Sequence, residues 1–171
     1  MGLDSVEILM GWERAFNIQI SDDDALVLRT PRMAIEYIAR RLEAVDEAQK
    51  ACLTLRAFHR LRASVISVTS INRRSFCPDA RLRDLVGRDQ WDAIRSSCGI
   101  DALPNPGWFW PRTVAELTRW TVLHAPQDLK PAGEPWTRAE IRCVVRAVVT
   151  HIIGSDDFGD DDDFIEDLRV G

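Results

Sequence analysis

Residues 2–10 read GLDSVEILM, and residues 160–171, at the other end of the chain, read DDDDFIEDLRVG. The first stretch is a helix entrance with almost no chain before it, and the second is acidic and loop-like, with a short turn around Phe164–Leu168. Apolar residues at Val6, Leu9, Met10, Ala15 and Phe16 recur at close to helical spacing. Asp4 and Glu7 stand three apart, the spacing of a capping box, in which the cap and the third helical residue satisfy each other's backbone N–H groups. Ser5 then falls in the first turn, facing solvent.

Moving outward, ISDDDALVL (20–28) offers Ser21 or Asp22 as the cap of a short helix, with acids at its positive end. TPRMAIEYIARRLEAV (30–45) places Thr30 at the cap and Pro31 at the first helical position. Met33, Ile35, Ile38, Ala39 and Leu42 form its apolar face. Further helix is predicted over 46–70, 80–86, 89–98 and 113–124. A loop rich in proline, DALPNPGWFWPRT, separates the last two. A strong helix is predicted over 137–153, with Thr137 as its cap and Ile141, Val144, Val145, Val148, Ile152 and Ile153 turned inward. An acidic loop follows. Nothing alternates as a strand would, and the fold class is all-α.

The composition narrows the function. With 22 basic and 27 acidic residues the net charge is -5, which argues against nucleic acid as a partner. The arginines nevertheless crowd the middle: Arg56, Arg60, Arg62, Arg73, Arg74, Arg81 and Arg83. A solvated charged face is the expectation there. The four cysteines, Cys52, Cys77, Cys98 and Cys143, lack CxxC spacing, and there is no signal peptide. They read as free thiols in a reducing cytoplasm, buried small hydrophobes in preference to redox-active groups. The three histidines show no metal-ligand spacing, so no metal site is expected. The acidic run Asp156–Asp163 lacks the D-x-D-x-D-G order of a calcium loop and reads as a solvated loop. No apolar run is long enough to span a bilayer.

An internal repeat reorganises this picture. Thr54 and Thr137, Asp79 and Asp162, Asp84 and Asp167, and Leu85 and Leu168 are each 83 residues apart, as are the two RT pairs at Arg29–Thr30 and Arg112–Thr113. Ile18 and Ile100 differ by 82. The middle of the chain then contains a complete unit, a long helix followed by shorter ones, whereas the two ends carry the same pieces in reverse order.

Joined tail to head, FIEDL running into GLDSVEILM, followed by FNIQISDDDA and LRTPRMAIEYI, resembles the acyl carrier proteins. The resemblance implies two carrier-like four-helix bundles. One would be formed by residues 1–45 with 136–171, a circular permutation, and the other by residues 46–130. It implies that Asp4-Ser5-Val6 is the Asp-Ser-aliphatic motif of that family, with 4′-phosphopantetheine as a covalent cofactor on Ser5 and Asp4 beside it. Val6, Glu7 and Glu13 would meet the partners, a phosphopantetheinyl transferase and acyl-loading or acyl-transfer synthases. The chain would carry acyl or aminoacyl thioesters in fatty acid or polyketide biosynthesis and would not itself be an enzyme. An unmodified, carrier-like protein-interaction module is one alternative, and an unrelated helical adaptor whose arginine-rich middle binds an acidic partner is the other. The middle unit has Asp89, Gln90 and Trp91 where a serine would be needed, so it is expected to take no group. Residues 137–170 are expected to close on 4–45 of the same chain as a monomer, in preference to a domain-swapped dimer, with Leu168 close to Leu3 and Gly171 close to Met1.

Overall fold

The computed structural model describes residues 2–46, 52–105 and 111–170. The stretch around Trp108 and Trp110, and the terminal pair Met1 and Gly171, lie outside them. The described residues form α-helices without strands, and the chain divides into two compact units, Met1–Lys50 with Ala132–Gly171 and Ala51–Pro131.

The first unit holds α1 (Leu3–Phe16), α2 (Asp22–Val27), α3 (Pro31–Arg41) and α8 (Arg138–Ile153). Helix α8 packs against both α1 and α3. Its apolar positions Ile141, Val144, Val145, Val148 and Val149 are buried, while Ile152 and Ile153 near its end are half-buried. Opposite them lie Ile8, Trp12, Ala15 and Phe16 of α1 and Ala34, Ile35, Ile38 and Ala39 of α3. Trp12 is the largest of these. It is 1% exposed, its indole N–H donates to the Val145 carbonyl at 3.4 Å, and its ring lies 5.9 Å from that of Phe164.

The caps explain where the helices start. The Ser21 hydroxyl accepts from Asp24 N–H, Thr30 from Met33 N–H, and Thr137 from Glu140 N–H, with the Glu140 carboxylate reciprocating on Thr137 N–H at 3.0 Å. The DSVE capping box does not form. The helix starts two residues earlier, with Gly2 as its cap and no side-chain cap bond. Leu3 is already helical, so Asp4 sits inside the first turn and acts on the helix dipole instead. The inward face also differs from the expected one. Val6 and Met10 are exposed, and Ile8 and Trp12 take their place. Apolar residues nearly encircle this helix, and the i, i+4, i+8 stripe of Ile8, Trp12 and Phe16 is the one that meets α8. Met33 of α3 is likewise exposed and Leu42 half-buried.

Gly11 lies where α1 passes close to α8, since a Cβ there would lie 2.6 Å from Val148 Cγ1. Gly11→Leu is therefore expected to destabilise the first unit by about 1–3 kcal/mol or more through overpacking. Urea unfolding followed by circular dichroism measures this, and an unchanged midpoint would contradict it.

The second unit holds α4 (Leu53–Thr69), α5 (Leu82–Leu85), α6 (Trp91–Cys98) and α7 (Val114–His124), with 3-10 turns at Arg73–Ser75 and Arg88–Gln90. Helix α4 packs against α6 and α7. Leu53, Ala57, Leu61, Val65, Phe76, Trp91, Ile94, Ile100 and Leu117 are buried. Trp91 is core, with its N–H on the Pro104 carbonyl at 2.8 Å. Trp120 is half-buried with its ring 3.9 Å from that of His124.

Several local arrangements recur between the units. Phe164 N–H donates to the Arg29 carbonyl, and Leu82 N–H to that of Arg112. Arg32 N–H donates to the Asp160 carbonyl, and Ala115 N–H to that of Pro78. Thr30 and Thr113 both cap the following helix. Asn17 and Gly99, after α1 and α6, are both left-handed. The pairing of Thr54 with Thr137 has no such counterpart, because Thr54 lies within α4 and Cys52 precedes that helix without a side-chain cap bond.

Candidate functional site

Ser5 is the third residue of α1, at the end of the helix where unpaired N–H groups and the aligned peptide dipoles leave partial positive charge. Its hydroxyl is half-buried and donates to the Val170 carbonyl at 3.5 Å. This contact brings the tail of the chain to its first helix. Asp4, Val6 and Glu7 are exposed beside it. Glu13 is placed differently. It is half-buried two turns further on, where its carboxylate accepts from Ile20 N–H at 2.8 Å and holds the loop after α1.

Next to Ser5 is a cavity of about 380 Å³, near the lower end of the range of about 300–1,000 Å³ that suits small ligands. Ile8, Leu9 and Trp12 of α1, Ala25 and Leu26 of α2, and Phe164 and Val170 of the tail line it, with Ser5, Arg29 and Asp163 as its polar members. Residue spacing around Ser5 pointed to a hydroxyl but not to this cavity. Its walls come from both ends of the chain, and only the packing of the tail on α1 and α2 assembles them.

The acidic loop supports the far wall, and it is ion-paired to a greater extent than a solvated loop would be. Asp160 accepts from both Arg142 and Arg146, one turn apart on α8. Arg32 pairs with Asp161, and Arg29 with Asp163 at 2.8 Å. Arg146 also reaches the carbonyls of Asp156 and Phe158 and stacks over the Phe158 ring at 4.1 Å. Burial works against charge on Asp160, but the guanidiniums of Arg142 and Arg146 outweigh it and hold the carboxyl below the usual range. The backbone N–H groups of Glu166 and Ile165 lead in doing the same for Asp163. No group of three or more metal-ligating side chains converges among the described residues.

Lowered folded-state values give the sign of the pH dependence. The stability these carboxylates add is present above the ordinary Asp range and is lost as pH falls through their folded values. The first unit is therefore expected to loosen below about pH 4, and Asp160→Asn to flatten that dependence while weakening the unit at neutral pH. Thermal melts across pH check this. An acid branch as steep in the variant as in the parent would contradict it.

The other side chains singled out in the sequence do not converge. Cys98 is buried, Cys143 is half-buried, and Cys52 and Cys77 are exposed, so burial of all four thiols does not hold; none is in a disulfide. In the second unit Arg88–Gln90 form a 3-10 turn leading into α6, with no serine at that entrance. No helix among the described residues is long and apolar enough to cross a membrane.

Among curated proteins, two called acyl carrier protein, from Porphyromonas gingivalis strains ATCC 33277 and W83, are each 44% identical to this chain over 41 residues. That segment is 24% of this chain and 53% of theirs, so the chain spans about half the length of the curated relatives it matches. No family model matches the chain, and no solved structure matches it.

Proposed function

We propose that the first unit, built from residues 1–50 and 132–171, is an acyl-carrier-like module, and that Ser5 carries 4′-phosphopantetheine. The observation that carries this reading is the position of Ser5, in the first turn of α1 on the rim of an apolar cavity. The similarity to proteins called acyl carrier protein supports it.

The residues fit the group. A phosphodiester on Ser5 Oγ would sit at the positive end of α1, a favourable place for an anion. Freeing the hydroxyl costs little, because its bond to Val170 is at the long limit for a hydrogen bond. When bound, the group supplies a terminal thiol to which an acyl or aminoacyl chain is joined as a thioester. The chain's own residues do the rest. Ile8, Leu9, Trp12 and Phe164 give an apolar chain a place out of water. Asp4, Val6 and Glu7 present a mixed apolar and acidic face beside Ser5 to a phosphopantetheinyl transferase and to acyl-loading or acyl-transfer enzymes. No acid or base for chemistry of its own is required, so the module works as a carrier and not as an enzyme.

The recurring hydrogen bonds and caps of the two units support reading the second as a carrier-like unit without an attachment serine, and the first as a permuted one. A second functional reading has an observation in its favour. The Ser5 hydroxyl is half-buried and turned toward Val170, which suits an unmodified, carrier-like interaction module. Intact mass after incubation with coenzyme A and a broad-specificity transferase separates the two. One added phosphopantetheine supports the carrier, and an unchanged mass on folded protein supports the interaction module.

A further inference from the structure

The two units carry opposite charge. Residues 51–131 hold twelve of the 22 basic residues and seven of the 27 acids, and the other unit holds ten bases and twenty acids. In the first unit five of the nine arginines are neutralised locally: Arg29, Arg32, Arg138, Arg142 and Arg146 each meet a carboxylate. The corresponding end of the second unit is different. Arg73 and Arg74 lie in the 3-10 turn after α4, and Arg81 and Arg112 flank the backbone bridge that joins α5 to the start of α7. All four are exposed, and none has a carboxylate partner among the described residues. Asp79, Asp84 and Glu116 are the acids nearby; Asp84 pairs with Arg83 at 3.6 Å, and Glu116 is engaged by the Arg112 backbone N–H at 2.7 Å.

The first unit offers the complement. Leu3, Val6 and Met10 lie exposed along the outer side of α1, and Leu26 and Ile165 stand exposed on the rim of the Ser5 cavity. Asp4 and Glu7 neighbour them on α1, and Asp22 and Asp23 lie one turn before Leu26 on α2, all four exposed and without a cationic partner among the described residues. An apolar patch with an acidic border is an incomplete surface.

We propose that a second copy of this chain covers it: the Arg73, Arg74, Arg81 and Arg112 end of one copy docks on the Ser5 face of the other. In a two-fold pair this contact would be made twice. Charge selects the occupant. A free nucleic acid or an unrelated acidic protein would engage the basic end and leave the acidic Ser5 face uncovered, whereas a second copy matches each unit with its opposite. The proposal does not require Ser5 to be modified, and no segment is exchanged between copies, because α8 already packs on α1 and α3.

Sedimentation equilibrium on the full chain tests it. A concentration-dependent dimer is expected in about 20 mM salt, with its dissociation constant raised about tenfold or more in about 500 mM salt, where the screening length falls to a few ångströms. The triple change Arg73→Glu, Arg74→Glu, Arg81→Glu should give a monomer of unchanged helicity at low salt. So should Glu7→Arg, Asp22→Arg, Asp23→Arg. Mixing the two variants should restore a dimer, because each contact then regains opposite charges. A monomer at every concentration in low salt would overturn the proposal, as it would if the basic end met only the acidic face of its own chain. A dimer indifferent to salt and to both reversals, or reversed variants that stay monomeric when mixed, would overturn it as well.

Discussion

Truncation after Trp136 is expected to unfold residues 2–46 and leave the second unit folded. The deleted segment contains no residue of the Asp4-Ser5-Val6 motif, yet it supplies α8, against which α1 and α3 are packed. Ile141, Val144, Val145, Val148 and Val149 are all at most 2% exposed. Losing even one such side chain costs on the order of 1–5 kcal/mol, so losing all of them exceeds the 5–15 kcal/mol by which a domain is stable. Three short helices cannot replace that core. The tail also brings Phe164 to Trp12 and Val170 to Ser5. The second unit buries its own set, including Leu61, Val65, Trp91, Ile94 and Leu117. Hydrogen exchange followed residue by residue should show protection lost across α1–α3 and retained across α4, α6 and α7. Protection persisting in α1 would contradict it.

Ser5→Ala should abolish phosphopantetheine transfer completely, with helicity and melting temperature nearly unchanged. The hydroxyl's one bond is long and only half-buried, so its removal costs well under the roughly 1 kcal/mol typical of a hydrogen bond. Chemistry and stability therefore separate at this residue, and a loss of labelling cannot be blamed on unfolding. The second unit offers no substitute, since Asp89 and Gln90 precede the buried Trp91 at its helix entrance. Label retained in Ser5→Ala would place the attachment elsewhere.

The features that could be read from sequence were the local ones. Thr30 with Pro31, Ser21, and Thr137 with Glu140 each fix a helix start through atoms at most three residues away, and all three caps are present. Asp4 with Glu7 has the same spacing but fails, because the helix begins at Leu3. Spacing identifies a box without saying which residue is the first to turn helical. The inward face of α1 differs from the expected one for a related reason. Periodicity selects a stripe only when the opposite side is polar, and α1 has Val6 and Met10 outside as well as Ile8 and Trp12 inside. The cavity and the arginine cage of Asp160 were out of reach. Arg142 and Arg146 are plainly one turn apart, but that a carboxylate from the following loop returns between them is a matter of tertiary packing.

The most direct test of the carrier reading is the intact mass of this 171-residue chain after incubation with coenzyme A and a phosphopantetheinyl transferase of broad specificity. The expected result is a single added phosphopantetheine per chain, mapped by peptide fragmentation to Ser5. A folded protein whose mass does not change, or one that gains two groups, would contradict it.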